Sequence, residues 1–351
     1  MDASRFLPLG LGLTIFSFFI SALAFVPFID LLYNLKFQRK KESEGSKTKS
    51  LFDKLHDKKA GTPIGGGILV ILITSLLFYF LFPFASRMGI LVRSSFEFKT
   101  ELIVILGTFL GFGVIGFLDD FIKIFGKPRP ATMGAYFGLT NRQKFGLQWV
   151  LAFGISYILY WRFGIHMLNI PLINKVIDLG IFYIPFAAFV IVAFSNAVNF
   201  TDGLDGLVGG LLVICLMAFN IIAAGNLDTP LSAFIAIWIG SLIAYLYFNV
   251  TPARIFLGDA GALSFGATLA VIGLMTGNII ALLIIGGVFV VEAMTSVIQI
   301  GGRKFLHRKI FPIAPLHHTL EAIGWEEPKI VMRAWLAGIM LAIFGLWLAT
   351  I

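Results

Sequence analysis

Long apolar runs recur along this chain from one end to the other, and they restrict its fold more than any motif does. A bilayer core about 30 Å thick takes about 20 apolar residues as helix, and backbone in lipid must satisfy its own hydrogen bonds. Ten runs meet that requirement, at approximately Leu7–Leu35, Ile64–Phe84, Glu101–Leu118, Gly146–Phe163, Leu179–Phe194, Leu207–Ala224, Leu231–Phe248, Gly261–Thr276, Ile279–Gln299 and Ile330–Ile351. The composition agrees: 58% of the 351 residues are hydrophobic and 13% charged, where soluble domains are about 45–50% apolar and about 25% charged. The expected fold is an all-α polytopic membrane protein of ten transmembrane helices, one integral membrane domain over residues 1–351. Met1–Arg5 lacks a net positive charge and the apolar stretch continues past Ala22-Leu23-Ala24, so the first run reads as a span and not as a signal peptide.

Basic residues orient the bundle. With ten spans, 21 Lys and Arg residues fall on the side of the odd-numbered connections and six on the other, Arg5, Arg87, Arg93, Lys99, Arg162 and Lys175. The positive-inside rule then places the connections near 36–63, 119–145, 195–206, 249–260 and 301–329 in the cytoplasm and both termini outside. Lys36–Lys59, with nine basic and four acidic residues, reads as a solvated loop facing lipid headgroups. The net charge of +8 is scattered among hydrophobic spans, which argues against a nucleic-acid partner. Cys215 alone permits neither an intrachain disulfide nor a cysteine metal cluster, and no Gly-x4-Gly-Lys-Ser/Thr loop is present.

The acidic and histidine clusters map to the same side, although only basic residues define it. Asp119-Asp120 closes the third run; consecutive helical residues point about 100° apart, so the two carboxylates should differ in role, or else simply mark the membrane border. Asn196–Gly206 holds Asn199, Asp202 and Asp205 with no Lys or Arg; it is either a ligand-facing segment or an N-cap and turn. Asp259, opening the eighth run, either caps that helix or holds a divalent cation there, since Mg²⁺ needs only one or two carboxylates beside waters and phosphate oxygens. His317-His318 follows a basic segment and is either a phosphate-binding pair or a solvated loop; a metal pair of His318 with Glu321 has no second such pair to support it. Glu292, inside the ninth run, is costly in lipid and should face a polar cleft.

Together Phe117–Lys123 (FLDDFIK), Asn196–Gly206 (NAVNFTDGLDG), Phe256–Gly261 (FLGDAG) and Ala314–Pro328 (APLHHTLEAIGWEEP) resemble the polyprenyl-phosphate N-acetylhexosamine-1-phosphate transferases. Within that superfamily the chain is most similar to the phospho-N-acetylmuramoyl-pentapeptide transferases, over about Lys59 to Arg333. The resemblance implies a ten-helix, Mg²⁺-dependent homodimer of the bacterial cytoplasmic (inner) membrane with a cytoplasmic site. It implies transfer of phospho-MurNAc-pentapeptide from UDP-MurNAc-pentapeptide to undecaprenyl phosphate. Carried over by motif, Asp119 and Asp120 are the acidic pair, Asp259 the Mg²⁺ ligand, and Asn199 and Asp202 the wall near the pyrophosphate. Gly203, Leu204 and Asp205 resemble a uridine pocket, with Phe256 as a stacking ring and Lys59 as a cation; Lys123, Asn249, His317 and His318 match further functional positions.

Two departures stand out: Thr319 where relatives carry a third consecutive histidine, and Ile64-Gly65 where they carry Thr-Met. Relatives that load GlcNAc-1-phosphate have His-x-His-His instead, so Pro315–His318 with Gly324-Trp325 favours the muramoyl-pentapeptide branch. GlcNAc-1-phosphate transfer remains the alternative reaction, and a secondary transporter the alternative class; transporters place their polar groups near the midplane, within internal repeats.

Overall fold

A computed structural model of the chain describes residues 6–39, 59–87, 93–126 and 139–351. Met1–Arg5 ahead of the first run, most of the basic loop (40–58), residues 88–92 and part of the 119–145 connection (127–138) lie outside the described residues. The helices are α1 Phe6–Asn34, α2 Gly66–Arg87, α3 Phe98–Phe125, α4 Asn141–Trp161, α5 Tyr183–Thr201 and α6 Leu207–Gly225. They continue with α7 Thr229–Asn249, α8 Gly258–Met275, α9 Ile279–Ile285, α10 Gly287–Phe305, α11 Leu316–Ala322 and α12 Glu327–Thr350. Among the described residues seven helices, α1, α3, α5 to α8 and α12, are long and apolar enough to cross a membrane, and α9 and α10 pass the same test only when taken together. The chain is a polytopic, all-α membrane protein. Helix α2 is apolar but shorter over Gly66–Phe82. Helix α4 is less apolar because its first turn is Asn141-Arg142-Gln143-Lys144, behind a capping box in which the Thr140 hydroxyl accepts the Gln143 N–H.

Helix α8 is apolar all round, and such a helix belongs at the centre of a bundle. Its neighbours α3, α5 and α2 pack directly on it, and α1 packs on α7. In lipid there is no hydrophobic force between helices, so close packing and hydroxyl bridges hold the pairs together. Ser264 Oγ donates to the Phe109 carbonyl at 2.6 Å between α8 and α3, Ser195 Oγ to the Leu263 carbonyl at 3.1 Å between α5 and α8, and Thr14 Oγ1 to the Ala236 carbonyl at 3.0 Å between α1 and α7. Phe109, Phe234, Trp238 and Phe265 fill the centre edge-to-face and stacked, with centroids 5.1–5.9 Å apart.

Three features differ from the expected runs. The ninth run is not one straight helix: α9 and α10 meet at 78° around Gly286-Gly287, a Gly pair of the kind that allows sharp kinks. An antiparallel hairpin, β1 Met167–Ile170 with β2 Lys175–Asp178, occupies the connection after α4, its turn ending at Asn174 with φ +50°. Asp119, Asp120 and Lys123 lie within α3 and not in a free connection, and the 301–329 connection contains α11.

Candidate active site

The C-terminal ends of α3 and α5 and the N-terminal ends of α4 and α8 meet at one end of the bundle, and their polar side chains pair there. Asp119 Oδ2 lies 2.9 Å from Lys123 Nζ and 2.9 Å from Lys144 Nζ, and its Oδ1 accepts the Leu139 N–H at 2.8 Å. Asp259 Oδ2 meets the same two ammonium groups, 2.6 Å from Lys123 and 2.5 Å from Lys144, and its Oδ1 accepts from Asn199 Nδ2 at 2.8 Å. Two carboxylates thus share two lysines. Asp120 points elsewhere: its Oδ2 accepts the Ala260 N–H at 3.1 Å, capping one of the first-turn amides of α8 that has no partner within the helix. The 100° step between adjacent helical residues separates the pair into one lysine-binding and one helix-capping carboxylate.

A second group adjoins the first. Lys59 Nζ is 2.7 Å from Asp205 Oδ1, 2.5 Å from Glu327 Oε1 and 3.5 Å from the Gly203 carbonyl. Glu327 Oε1 also accepts the Asp205 N–H at 2.5 Å, and Asp205 Oδ2 accepts the Ala253 N–H at 3.0 Å. Lys59 and Arg39 stand 6.0 and 5.7 Å from the centre of the Phe256 ring, and Leu204 is buried. Asn249 fastens the two loops, accepting the Gly206 N–H at 3.0 Å and donating to the Ile255 carbonyl at 2.9 Å. Ile64 forms a parallel bridge with Phe256, whose carbonyl accepts the N–H groups of Gly65 and Gly66, so the Ile64-Gly65 departure falls on a backbone docking strip. Asp202 lies between the groups: burial pushes its carboxyl up to about 7, Asp259 and Asp205 push the same way, and Arg39 and Lys59 oppose them.

The histidines sit on α11. His318 Nδ1 is 2.7 Å from Glu321 Oε2, and burial holds this imidazole below its usual range while the Glu321 hydrogen bond works against that. His317 is buried against Gly203, where a Cβ would collide with its Nε2. Thr319, at the position of the missing third imidazole, donates its hydroxyl to the Ile313 carbonyl, and Gln299 holds Ile310 and Phe311 through their main chain at 2.8–3.0 Å. The hydroxyl therefore tethers the loop and carries no charge toward the site.

The residues carried over by motif lie in these connected groups, and Glu292 touches them only through His317. Lys144 and Glu327, which the sequence did not single out as site residues, join them. Lys144 reads as a solvated first-turn lysine, and its capping box is the signal that fixes where its helix begins; nothing in the sequence pairs Glu327 with Lys59. Among the described residues no three His, Cys, Asp or Glu side chains are placed to hold a metal by themselves. Asp259 and Asp119 are oxygen donors of the kind Mg²⁺ takes beside water and substrate phosphate, and here their Oδ2 atoms face Lys123 and Lys144.

An apolar bundle whose acidic and basic groups meet at one end, and not at mid-height, differs from the midplane site of a transporter. Residues 102–277 match glycosyl transferase family 4. The chain is 36% identical to the phospho-N-acetylmuramoyl-pentapeptide-transferase of Geobacillus sp. (strain WCH70), over 95% of this chain and 96% of the relative. It is 35% identical to the protein of that name from Bacillus subtilis (strain 168), over 94% and 95%, and 37% identical to that of Halalkalibacterium halodurans, over 95% of each. The chain belongs to the phospho-N-acetylmuramoyl-pentapeptide transferase family.

Proposed function

We propose that the chain makes lipid I: it transfers phospho-MurNAc-pentapeptide from UDP-MurNAc-pentapeptide to undecaprenyl phosphate and releases UMP. The observation that carries this reading is the pair of lysines, Lys123 and Lys144, shared by Asp119 and Asp259 at one end of a membrane bundle. The membrane is the bacterial cytoplasmic one and the site faces the cytoplasm, an orientation supported by the 21 basic residues on that side. A lipid phosphate reaches this level from the bilayer and a nucleotide from water. The family resemblance also implies a homodimer, which the mass of the purified protein in detergent tests.

Attack of one phosphate on another brings anions together, so neutralisation and in-line positioning dominate the acceleration. A phosphate monoester has its second pKa near about 6, so the lipid nucleophile is ionised at neutral pH and needs no strong base. Lys123 and Lys144 offset charge on the diphosphate, and Asp119 and Asp259 hold them in place. Asp259 would be the main protein ligand of Mg²⁺, which would supply divalent charge at the diphosphate, with Asp119 beside it. Asp202 and Asn199 line the path between the lysines and the pocket of Gly203, Leu204, Asp205, Lys59 and Phe256, where the uridine stacks. Transfer is direct; a phosphosugar trapped on the enzyme without lipid acceptor would overturn that.

The deciding experiment offers purified protein undecaprenyl phosphate with UDP-MurNAc-pentapeptide or UDP-GlcNAc and identifies the lipid-linked product. Product from the first alone is expected; product from UDP-GlcNAc alone would overturn the assignment. Lys59→Met leaves Asp205 and Glu327 without their shared cation. It should raise KM for the UDP-sugar by about 10-fold, equivalent to roughly 1.4 kcal/mol, and steady-state kinetics at saturating lipid acceptor reads this directly.

A further inference from the structure

One buried carboxylate reaches the groups above only through His317. Glu292 lies on α10, a turn and a half beyond the bend at Gly286, and only 5% of its surface is exposed. A carboxylate inside a membrane bundle is costly unless hydrogen-bonded. The inward face of α10, with Thr295, Ser296 and Gln299, is polar, while Val291, Met294, Val297 and Ile298 face outward. Glu292 spends its Oε2 on a single distant residue: it is 3.2 Å from the main-chain N of His317 and 3.1 Å from His317 Nδ1.

That geometry fixes the imidazole. The main-chain N–H can only donate, so Oε2 is an acceptor there, and an acceptor oxygen pairs with the facing ring nitrogen when that nitrogen carries the proton. The other ring nitrogen, Nε2, is buried with no hydrogen-bond partner among the described residues and abuts Gly203 in the Asn196–Gly206 segment. His318 closes the flank, its ring centroid 4.0 Å away at 61°. The ring is held from behind by Glu292, from the side by His318 and from the front by Gly203. Nε2 thus meets Gly203 and no hydrogen-bonding group among the described residues.

We infer that Glu292 is a positioning residue, which holds His317 with its proton on Nδ1 and seats its Nε2 against Gly203, so that the Asn196–Gly206 segment keeps the shape that receives the anionic phosphate portion of the substrate. The inference rests on the transferase reading for its kinetic test only. Glutamine at 292 can turn its amide NH₂ toward Nδ1, which reverses the tautomer and removes the charge.

Two measurements test this. In ¹⁵N-histidine-labelled protein, with His317→Ala to assign the resonances, substrate-free His317 should show protonated Nδ1 and unprotonated Nε2; the opposite tautomer overturns the inference whatever reaction the protein catalyses. Kinetically, Glu292→Gln should lower kcat about 10- to 100-fold, the usual cost of removing a group that orients a functional histidine, with KM for the UDP-sugar nearly unchanged. Glu292→Asp should recover part of the loss. In a His317→Ala background Glu292→Gln should cost nothing further; if it keeps its full penalty there, Glu292 acts through something other than His317 and the inference falls. Failure to make any lipid-linked product would remove the transferase reading and leave the tautomer result standing.

Discussion

Asp259→Ala should leave a folded, membrane-inserted protein whose turnover is reduced at least about 1,000-fold, a loss equivalent to roughly 4 kcal/mol of transition-state stabilisation. Among the described residues Asp259 alone touches Lys123, Lys144 and Asn199 together. Its removal strips the two lysines of half of their shared negative charge, so they are free to collapse toward Asp119, and it takes away the main protein ligand proposed for Mg²⁺. Preorganised charge and metal-held charge supply most of the stabilisation in phosphoryl chemistry. Fold should survive, because Asp120 and not Asp259 caps the Ala260 N–H at the start of α8. The check is UMP release and lipid-linked product at rising Mg²⁺, beside wild-type protein stripped with chelator. Near-native activity of Asp259→Ala at saturating Mg²⁺ would mean that the cation, if needed, is held elsewhere.

The sequence makes the membrane class legible because lipid demands long apolar helices, and the acidic motifs legible because charge is expensive beside them. Even a division of labour between Asp119 and Asp120 follows from helical pitch alone. What pitch does not reveal is which partner each carboxylate meets, since Lys144, Ala260 and Leu139 are distant in the chain and reach Asp119 or Asp120 only through packing. Glu292 illustrates the same limit: its cost in lipid is visible in the sequence, but its partner His317 lies 25 residues away. The bend at Gly286 escapes a hydropathy reading because both arms are apolar enough to read as one run. The hairpin at 167–178 escapes because its strands are only four residues each.

Gly116→Val should cost both stability and activity, and it tests how the site is assembled. Helix α3 brings Asp119 and Asp120 to α8 only because Gly116 has no side chain: a Cβ there would overlap the Asp259 carbonyl and the Ala260 nitrogen. Overpacking of this kind typically costs about 1–3 kcal/mol, and here the strain falls on the contact that sets the site. Pushing α3 from α8 lengthens the Asp120 to Ala260 hydrogen bond and pulls Asp119 away from the lysines it shares with Asp259. Turnover should fall by about 100-fold, roughly 2.7 kcal/mol in barrier, together with a lower Tm in detergent. Gly107→Val is the matched control, because it lies on the same helix, faces open space and carries the same β-branched propensity cost. It should keep wild-type turnover and nearly wild-type Tm. Equal behaviour of the two variants would show that the close approach of α3 and α8 at Gly116 does not control the geometry of the carboxylates and lysines.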